Sequence, residues 1–313
     1  MKVTLAPMEG VMDHHMRQLL TSIGGIDLCV AEFIRVVELR LPAKVFRRIS
    51  PELYNGSKTA SGTPVRIQLL GQNPQCLAEN ANKALQVGSD GIDLNFGCPA
   101  KAVNKSKGGA ILLKCPDTLY KIVKEVRDAM PSGQLLSAKI RLGYEDKLLA
   151  IENAQAITEA GANELAVHAR TKEEGYKPPA HWHWIAKIRE AINIPVTANG
   201  DIFNLDDAKR CMEISGCERL MIGRGALAVP NLAQVIKEKE APYSWPQTLD
   251  LMIEYLFIQT RGDKEKYLPN RIKQWLTFMR IQQPDALIFL HKIRKIKTTQ
   301  EMIDAIQRER LTA

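Results

Sequence analysis

The residues of this chain whose types could do chemistry are a lone thiol, one lysine, one histidine and two glycine-rich turns. The thiol is Cys98, in the stretch DLNFGCPAKAVNKSKGGA from Asp93 to Ala110. No second cysteine lies close enough to bridge it, and Cys29, Cys76, Cys98, Cys115, Cys211 and Cys217 form no CxxC pair. That spacing argues against zinc, iron–sulfur ligation and a disulfide framework. Three readings of Cys98 remain open. It is a buried free cysteine, a nucleophile whose pKa a base or helix N-terminus lowers, or a general acid that stays protonated near neutral pH. The loop behind it, with Lys101, Lys105, Lys107 and Gly108-Gly109, has the composition of a mobile, positive lid over a polyanion.

Lys139 lies inside KIRL, where a buried ammonium is costly unless it faces an anion or an electron-rich ring. It could form an imine, as in aldolases, or bind the pyrimidine edge of a flavin. His168 ends VHART, and Gln68, in RIQLLG, offers an amide to a heterocycle's donor–acceptor edge. NGDI (199–202) and GRGA (223–226) supply glycines and backbone N–H groups, and Arg224 adds a guanidinium; together they suit a phosphate.

These residues need elements to position them. Short β-rich apolar runs at 3–8, 27–33, 64–70, 91–96, 135–142, 163–169, 195–200 and 219–224 alternate with longer amphipathic stretches such as 76–88, 119–130 and 148–161. In the last of these Leu149, Ile151, Ala154, Ile157 and Ala160 recur at helical spacing, and Gly161 supplies a C-cap. Eight strand-then-helix units predict an α/β fold, a (β/α)8 TIM barrel; the doubly wound sheet is the competitor, weaker because no GxGxxG follows the first strand. Polar residues gather where the strands end: Met8-Glu9, Glu32 and Arg35, Gln68, Asn95 and Cys98, Lys139 and Arg141, His168 and Arg170, Asn199-Gly200-Asp201, and Gly223-Arg224. That is the pattern of a barrel mouth.

After Pro230 the strand runs stop. APYSWPQ (241–247) reads as a linker, and the sequence from Leu249 onward reads as helical. Twelve Lys/Arg stand against eight Asp/Glu from Ser244 to Ala313, which places about half of the net charge of +8 on less than a quarter of the chain. The expected organisation is a catalytic barrel over 1–240 followed by a small, basic, all-helical domain over 241–313, a charge balance that favours a polyanionic partner. No apolar run approaches the roughly 18–20 residues of a membrane span, and MKVTLAPMEG has no secretory core. A cytoplasmic monomer without metal or membrane partner is expected.

With these motifs in place, the chain resembles the tRNA-dihydrouridine synthases, FMN-dependent reductases of uridine in tRNA. APMEGVMD (6–13), RIQLLG (66–71), DLNFGCPAKAVNKSKGGAILL (93–113), KIRLG (139–143), VHARTKEEGY (167–176), ANGDI (198–202) and MIGRGA (221–226) carry the resemblance, in the family's order and across the whole barrel. It implies that Pro7, Met8 and Glu9 line the flavin, that Gln68 and Lys139 bind its isoalloxazine edge with His168 nearby, and that Asn199, Gly200, Asp201, Gly223 and Arg224 hold its phosphate. It further implies that NADPH or NADH reduces FMN, that hydride passes to C6 of uridine, and that Cys98 protonates C5. The thiol is then alone because its task is to give up one proton. Asn95 would orient the uracil, with Arg141 on the substrate side.

FIRVVE (33–38), RIKQWL (271–276) and HKIRKI (291–296) resemble the synthase C branch, associated with uridine 16 of the D-loop. On that resemblance Arg35, Arg271, Lys273, Gln274 and Arg294 read the tRNA. Ile272, Leu276 and Met279 form an inward stripe, which would leave Arg271 and Lys273 facing outward. The competing readings are an FMN-dependent reductase of a free pyrimidine (dihydroorotate or dihydropyrimidine dehydrogenase-like), an imine-forming aldolase and a non-catalytic RNA-binding barrel. A small substrate leaves the basic helical domain without a purpose.

Overall fold

A computed structural model describes residues 1–259 and 265–313. The apolar runs form strands β1 (Lys2–Leu5), β2 (Leu28–Val30), β3 (Ile34–Arg35), β4 (Val65–Leu70), β5 (Ile92–Asn95), β6 (Leu136–Arg141), β7 (Glu164–His168), β8 (Val196–Asn199) and β9 (Arg219–Ile222). All pair in parallel, and the β2–β4 and β1–β9 pairings close a ring of eight. β3 is the ninth strand and stands outside the ring. It extends the pairing along the far end of β4, with Ile34 beside Leu69 and Arg35 beside Leu70. The predicted barrel is therefore present, and β3 is an addition that the sequence pattern did not announce.

Strand periodicity decides which side chains meet inside the ring. Val65, Ile67 and Leu69 of β4 face the surrounding helices, together with Ile92, Leu94, Ala138, Ile140, Leu165 and Val167, in the main core. The alternate set points inward: Arg66 and Gln68, Asp93 and Asn95, Ser137, Lys139 and Arg141, Ala166 and His168. A slip of one residue in any strand would turn this set outward. The lower interior is an ion network. Arg66 donates to Ser137 Oγ and to Glu164 Oε2, both at 2.9 Å, and Arg219 donates to Glu164 Oε1 at 2.6 Å. Pairing is what makes burial of those charges tolerable. Ala6, Val30, Ala166 and Met221 form a separate small apolar cluster. Ala6 and Met221 also line the cavity at the strand ends, where their short or slender side chains leave room.

Side-chain caps start several helices. Asn73 accepts from Cys76 N at 3.0 Å with Pro74 at the first helical position, and Asn204 accepts from Asp207 N at 2.8 Å. Gly161 ends its helix as expected in kind, one residue beyond the cap: its φ is +98°, and an added Cβ would lie 2.9 Å from Arg127 Cγ.

Helices Trp245–Gln259, Leu268–Met279, Pro284–Ile293 and Thr299–Thr312 follow the barrel. The expected helical run includes 260–264, which lies outside the described residues. Ile272, Leu276 and Met279 are fully buried, as their spacing predicts, and Trp275 joins them. The Trp275 indole N–H donates to Leu227 O at 3.1 Å, which ties this helix to the short helix Arg224–Ala228 after β9. Among the described residues no helix is long and apolar enough to cross a membrane.

Candidate active site

The carboxyl ends of the strands surround a cavity of about 510 Å³. One wall is the Cys98 loop. Asn95, the last residue of β5, accepts from Gly97 N at 3.0 Å and from Cys98 N at 2.9 Å through Oδ1. Its amide donates to Gln68 Oε1 at 2.8 Å, and Gln68 donates to Asp93 Oδ2 at 2.6 Å. A buried chain of side chains thus fixes the backbone that carries the thiol. From the other side the Asn104 amide donates to Cys98 O at 2.9 Å and Ala100 O at 2.8 Å, while its oxygen accepts from Ile111 N at 2.8 Å. Gly109 has φ +68°, and a Cβ there would stand 2.8 Å from Cys98 O. The residues read as a positive lid form a short helix, Lys101–Lys105, that turns Val103 and Asn104 inward and leaves the lysines exposed.

Burial pushes the Cys98 thiol above its ordinary pKa, and the carboxylate of Glu9 acts in the same direction, against a hydrogen bond from the Ala100 backbone. A thiol held protonated is poorly suited to nucleophilic attack and well suited to donating a proton.

Opposite electrostatics govern the next wall. Burial lowers the Lys139 ammonium to about 8, and the nearby Arg141 charge adds to the effect. Lys139 Nζ donates to Asn199 Oδ1 at 3.3 Å, and Asn199 is itself fixed by donating to Met221 O at 2.7 Å. Burial, then the charges of Arg141 and Lys139, drive the His168 pKa well below the usual imidazole value, so the ring is neutral. Its Nδ1 is buried without a partner among the described residues. Arg141 lines the cavity, yet its donors serve the scaffold: Nε reaches Gly97 O at 2.9 Å, and one terminal nitrogen reaches Thr171 O and Gly175 O at 3.0 and 2.9 Å.

At the far end, Gly223 and Gly225 allow close approach. A Cβ on Gly223 would meet Met8 Sδ at 3.0 Å, and one on Gly225 would meet Ile202 O at 1.9 Å. Arg224 donates to Asp201 Oδ1 at 3.0 Å and lies over the Tyr176 ring at 4.7 Å and the Phe203 ring at 5.6 Å. The other oxygen of Asp201 pairs with the fully buried Arg170. Cations and close-packed glycines at one end, with a lysine and amides at the other, fit an elongated planar ligand bearing an anionic terminus. Among the described residues no group of three or more His, Cys, Asp or Glu is placed to hold a metal ion.

Pro7, Met8, Glu9, Asn95, Cys98, Lys139, Arg141, His168, Asn199, Gly200, Asp201, Gly223 and Arg224 all line this cavity. Gln68 does not; it is fully buried behind Asn95. Arg35 lies outside and donates to Ser106 Oγ at 2.6 Å, bracing the outer side of the Cys98 loop. The expectation that Arg271 and Lys273 face outward unengaged is corrected. Arg271 donates to Gly10 O at 2.6 Å, Val11 O at 3.2 Å and Gln274 Oε1 at 3.0 Å, and forms a 2.6 Å ion pair with Asp13. Lys273 donates to Ile296 O. The inward stripe leaves both residues on the flank of the helix, where the β1 loop and the 293–296 turn supply carbonyls. Arg294 is exposed.

Sequence reasoning passed over Tyr176, Phe33, Phe203 and Phe278, which also line the cavity, and Asn104, which staples the loop. Tyr176 and Asn104 lay inside motifs already singled out. Phe278 comes from the C-terminal helices, and nothing in its local sequence marks it.

A family model described as "Dihydrouridine synthase (Dus)" matches residues 4–308. A "tRNA-dihydrouridine(16) synthase" of Shewanella oneidensis is 55% identical over 307 residues, covering 98% of each chain. The Escherichia coli (strain K12) protein of the same name is 49% identical over 308 residues, again covering 98% of both. Among solved structures, an old yellow enzyme homologue from Zymomonas mobilis superposes with a TM-score of 0.53 at 12% identity, covering 78% of this chain and 90% of that one. At that identity the likeness is one of fold.

Proposed function

This chain belongs to the dihydrouridine synthase family, and on that premise we propose that it is a cytoplasmic, flavin-dependent enzyme that reduces a uridine of tRNA, uridine 16 of the D-loop, to 5,6-dihydrouridine. FMN is the flavin and NADPH or NADH the reductant. The observation that carries the reading is a thiol, its pKa raised by burial, facing the same cavity as a set of residues suited to a flavin and its phosphate.

Pro7, Met8 and Glu9 would flank the bound FMN. Lys139 would stand at its electron-rich edge, with His168 close by and Gln68 acting from behind Asn95. Gly200, Asp201, Gly223 and Arg224 would take the phosphate end, and Asn199 would hold Lys139 in place. When bound and reduced, FMN would supply the hydride that the uracil needs at C6. Asn95 and Arg141 keep the Cys98 loop against the cavity, and Asn95 orients the base. Cys98 Sγ gives its proton to C5, so that hydride and proton together saturate the C5–C6 bond; the thiolate then recovers a proton from solvent. Residues 241–313, with Arg35, Arg271, Lys273, Gln274 and Arg294, would form the tRNA-recognition surface. A free pyrimidine as substrate is not favoured, since the relatives at about half identity carry the name of a tRNA-modifying enzyme.

Cys98→Ala tests the reading. The variant is expected to retain its yellow flavin and its reduction by NADPH, and to lose roughly 10²–10⁴-fold in dihydrouridine formation on unmodified tRNA. Because the thiol pKa is raised, the donating form persists through neutral pH, and loss of the thiol proton should lower wild-type turnover only as pH rises through that pKa. An alanine variant turning over at the wild-type rate sinks the assignment.

A further inference from the structure

We propose that Arg170 is a charge-balancing and positioning residue for the anion end of the cavity: it neutralises Asp201, so that Arg224 presents an uncompensated positive charge to the flavin's phosphate. The inference rests on the FMN reading above.

A carboxylate is an odd neighbour for a phosphate. Asp201 lies on the cavity wall beside Gly200 and Gly223, where unopposed it would repel a dianion. It is also held in the left-handed backbone region, at φ +52°, which few non-glycine residues adopt. Its two oxygens have different partners. Oδ1 takes the N–H of Arg224 at 3.0 Å, and Oδ2 takes the N–H of Arg170. Two guanidinium groups therefore share one carboxylate, and the trio carries a net charge of +1.

Arg170 sits immediately beyond β7, is fully buried, and does not line the cavity. Its Nε donates to Lys177 O at 2.6 Å, and its remaining terminal nitrogen is buried with no partner among the described residues. Among the described residues Asp201 is its one ion-pair partner. Such a buried, incompletely satisfied cation is costly, and a neutral donor could serve Lys177 O equally well. What a neutral residue cannot do is cancel Asp201. Without that cancellation, the Arg224–Asp201 pair sums to zero, and the phosphate meets a neutral ion pair. With it, Asp201 can orient Arg224 across Tyr176 and Phe203 without spending the charge of Arg224.

The test compares FMN with riboflavin, which lacks the phosphate, on full-length protein stripped of flavin. Affinities are read by flavin fluorescence quenching. Wild type should bind FMN more tightly than riboflavin. In Arg170→Met, FMN affinity should fall about tenfold or more while riboflavin affinity barely moves, as expected for loss of one nearby charge. Arg170→Gln, which keeps a donor for Lys177 O, carries the same expectation where methionine does not fold. Arg170→Met combined with Asp201→Asn removes the carboxylate along with its neutraliser, and should restore most of the FMN preference. An unchanged preference in the single variants overturns the proposal while leaving the FMN site intact. Equal losses for both ligands, in single and double variants alike, would make Arg170 a structural strut and also overturn it. If wild type shows no preference for FMN, the phosphate assignment itself fails, a different result from either.

Discussion

The Cys98 loop and the basic helix Leu268–Met279 hold their polar residues in opposite ways. At the mouth of the barrel, the side chains of Asn95 and Asn104 hold the backbone around Cys98, so the loop does not depend on the thiol for its fastening. On the helix, the charged side chains are themselves the fastenings: Arg271 grips the β1 loop at Gly10, Val11 and Asp13, and Lys273 grips Ile296. The β1 loop carries Pro7, Met8 and Glu9 into the cavity, and the same helix sends Phe278 there. Arg271 thus sets the register between the C-terminal helices and the β1 loop. A basic residue in a region proposed to meet tRNA can act through architecture as well as through charge.

The contrast is most sharply tested at Asn104. Its three hydrogen bonds are all to the loop that bears the thiol, and none reaches the flavin-fitting wall. Asn104→Ala should therefore lower kcat for dihydrouridine formation by up to about 10²-fold, the scale of an ångström of misplacement at a reacting group. Flavin content and the rate of flavin reduction by NADPH should stay near wild type. Parallel loss of flavin would mean that the two walls are not independent, and the comparison would break.

Next in size is Arg271→Ala. The ion pair with Asp13 is partly exposed, so its loss with the two backbone contacts should cost roughly 1–3 kcal/mol, seen as a lower Tm. If Arg271 acts through register, tRNA affinity should fall about tenfold, and the slope of log affinity against log salt should stay the same. A slope reduced by about one would instead identify a direct phosphate contact.

The sequence made the barrel legible because strand periodicity is short-range and strict. RIQLLG and KIRL each place their polar residues two apart, and the ring accordingly brings Gln68, Asn95, Lys139 and His168 to its interior. Chemistry at strand ends was readable for the same reason. Contacts across long chain separation were not. Nothing near Arg271 in the sequence points to Asp13, 258 residues away, nor could the spacing of Gln68 show that Asn95 stands between it and the cavity. The Lys101–Lys105 helix was missed because its composition is that of a loop; its order comes from Asn104 and from the glycine at 109, which only packing reveals.

The smallest effect is expected at Arg294, which isolates charge from architecture. It is exposed, at the end of helix Pro284–Ile293, and forms no hydrogen bond or ion pair among the described residues. Arg294→Ala should therefore leave Tm and flavin content unchanged, since surface substitutions without partners typically stay within about 0.5 kcal/mol. If the residue meets a tRNA phosphate, affinity should drop only a few-fold at moderate salt, the salt slope should fall by about one, and the difference from wild type should vanish as ionic strength rises. Arg294→Lys should then recover most of the loss, because a phosphate accepts either cation. A lysine variant as weak as alanine would point to a planar contact with a base edge, and would make Arg294, rather than Arg271, the helical region's reader of nucleotide identity.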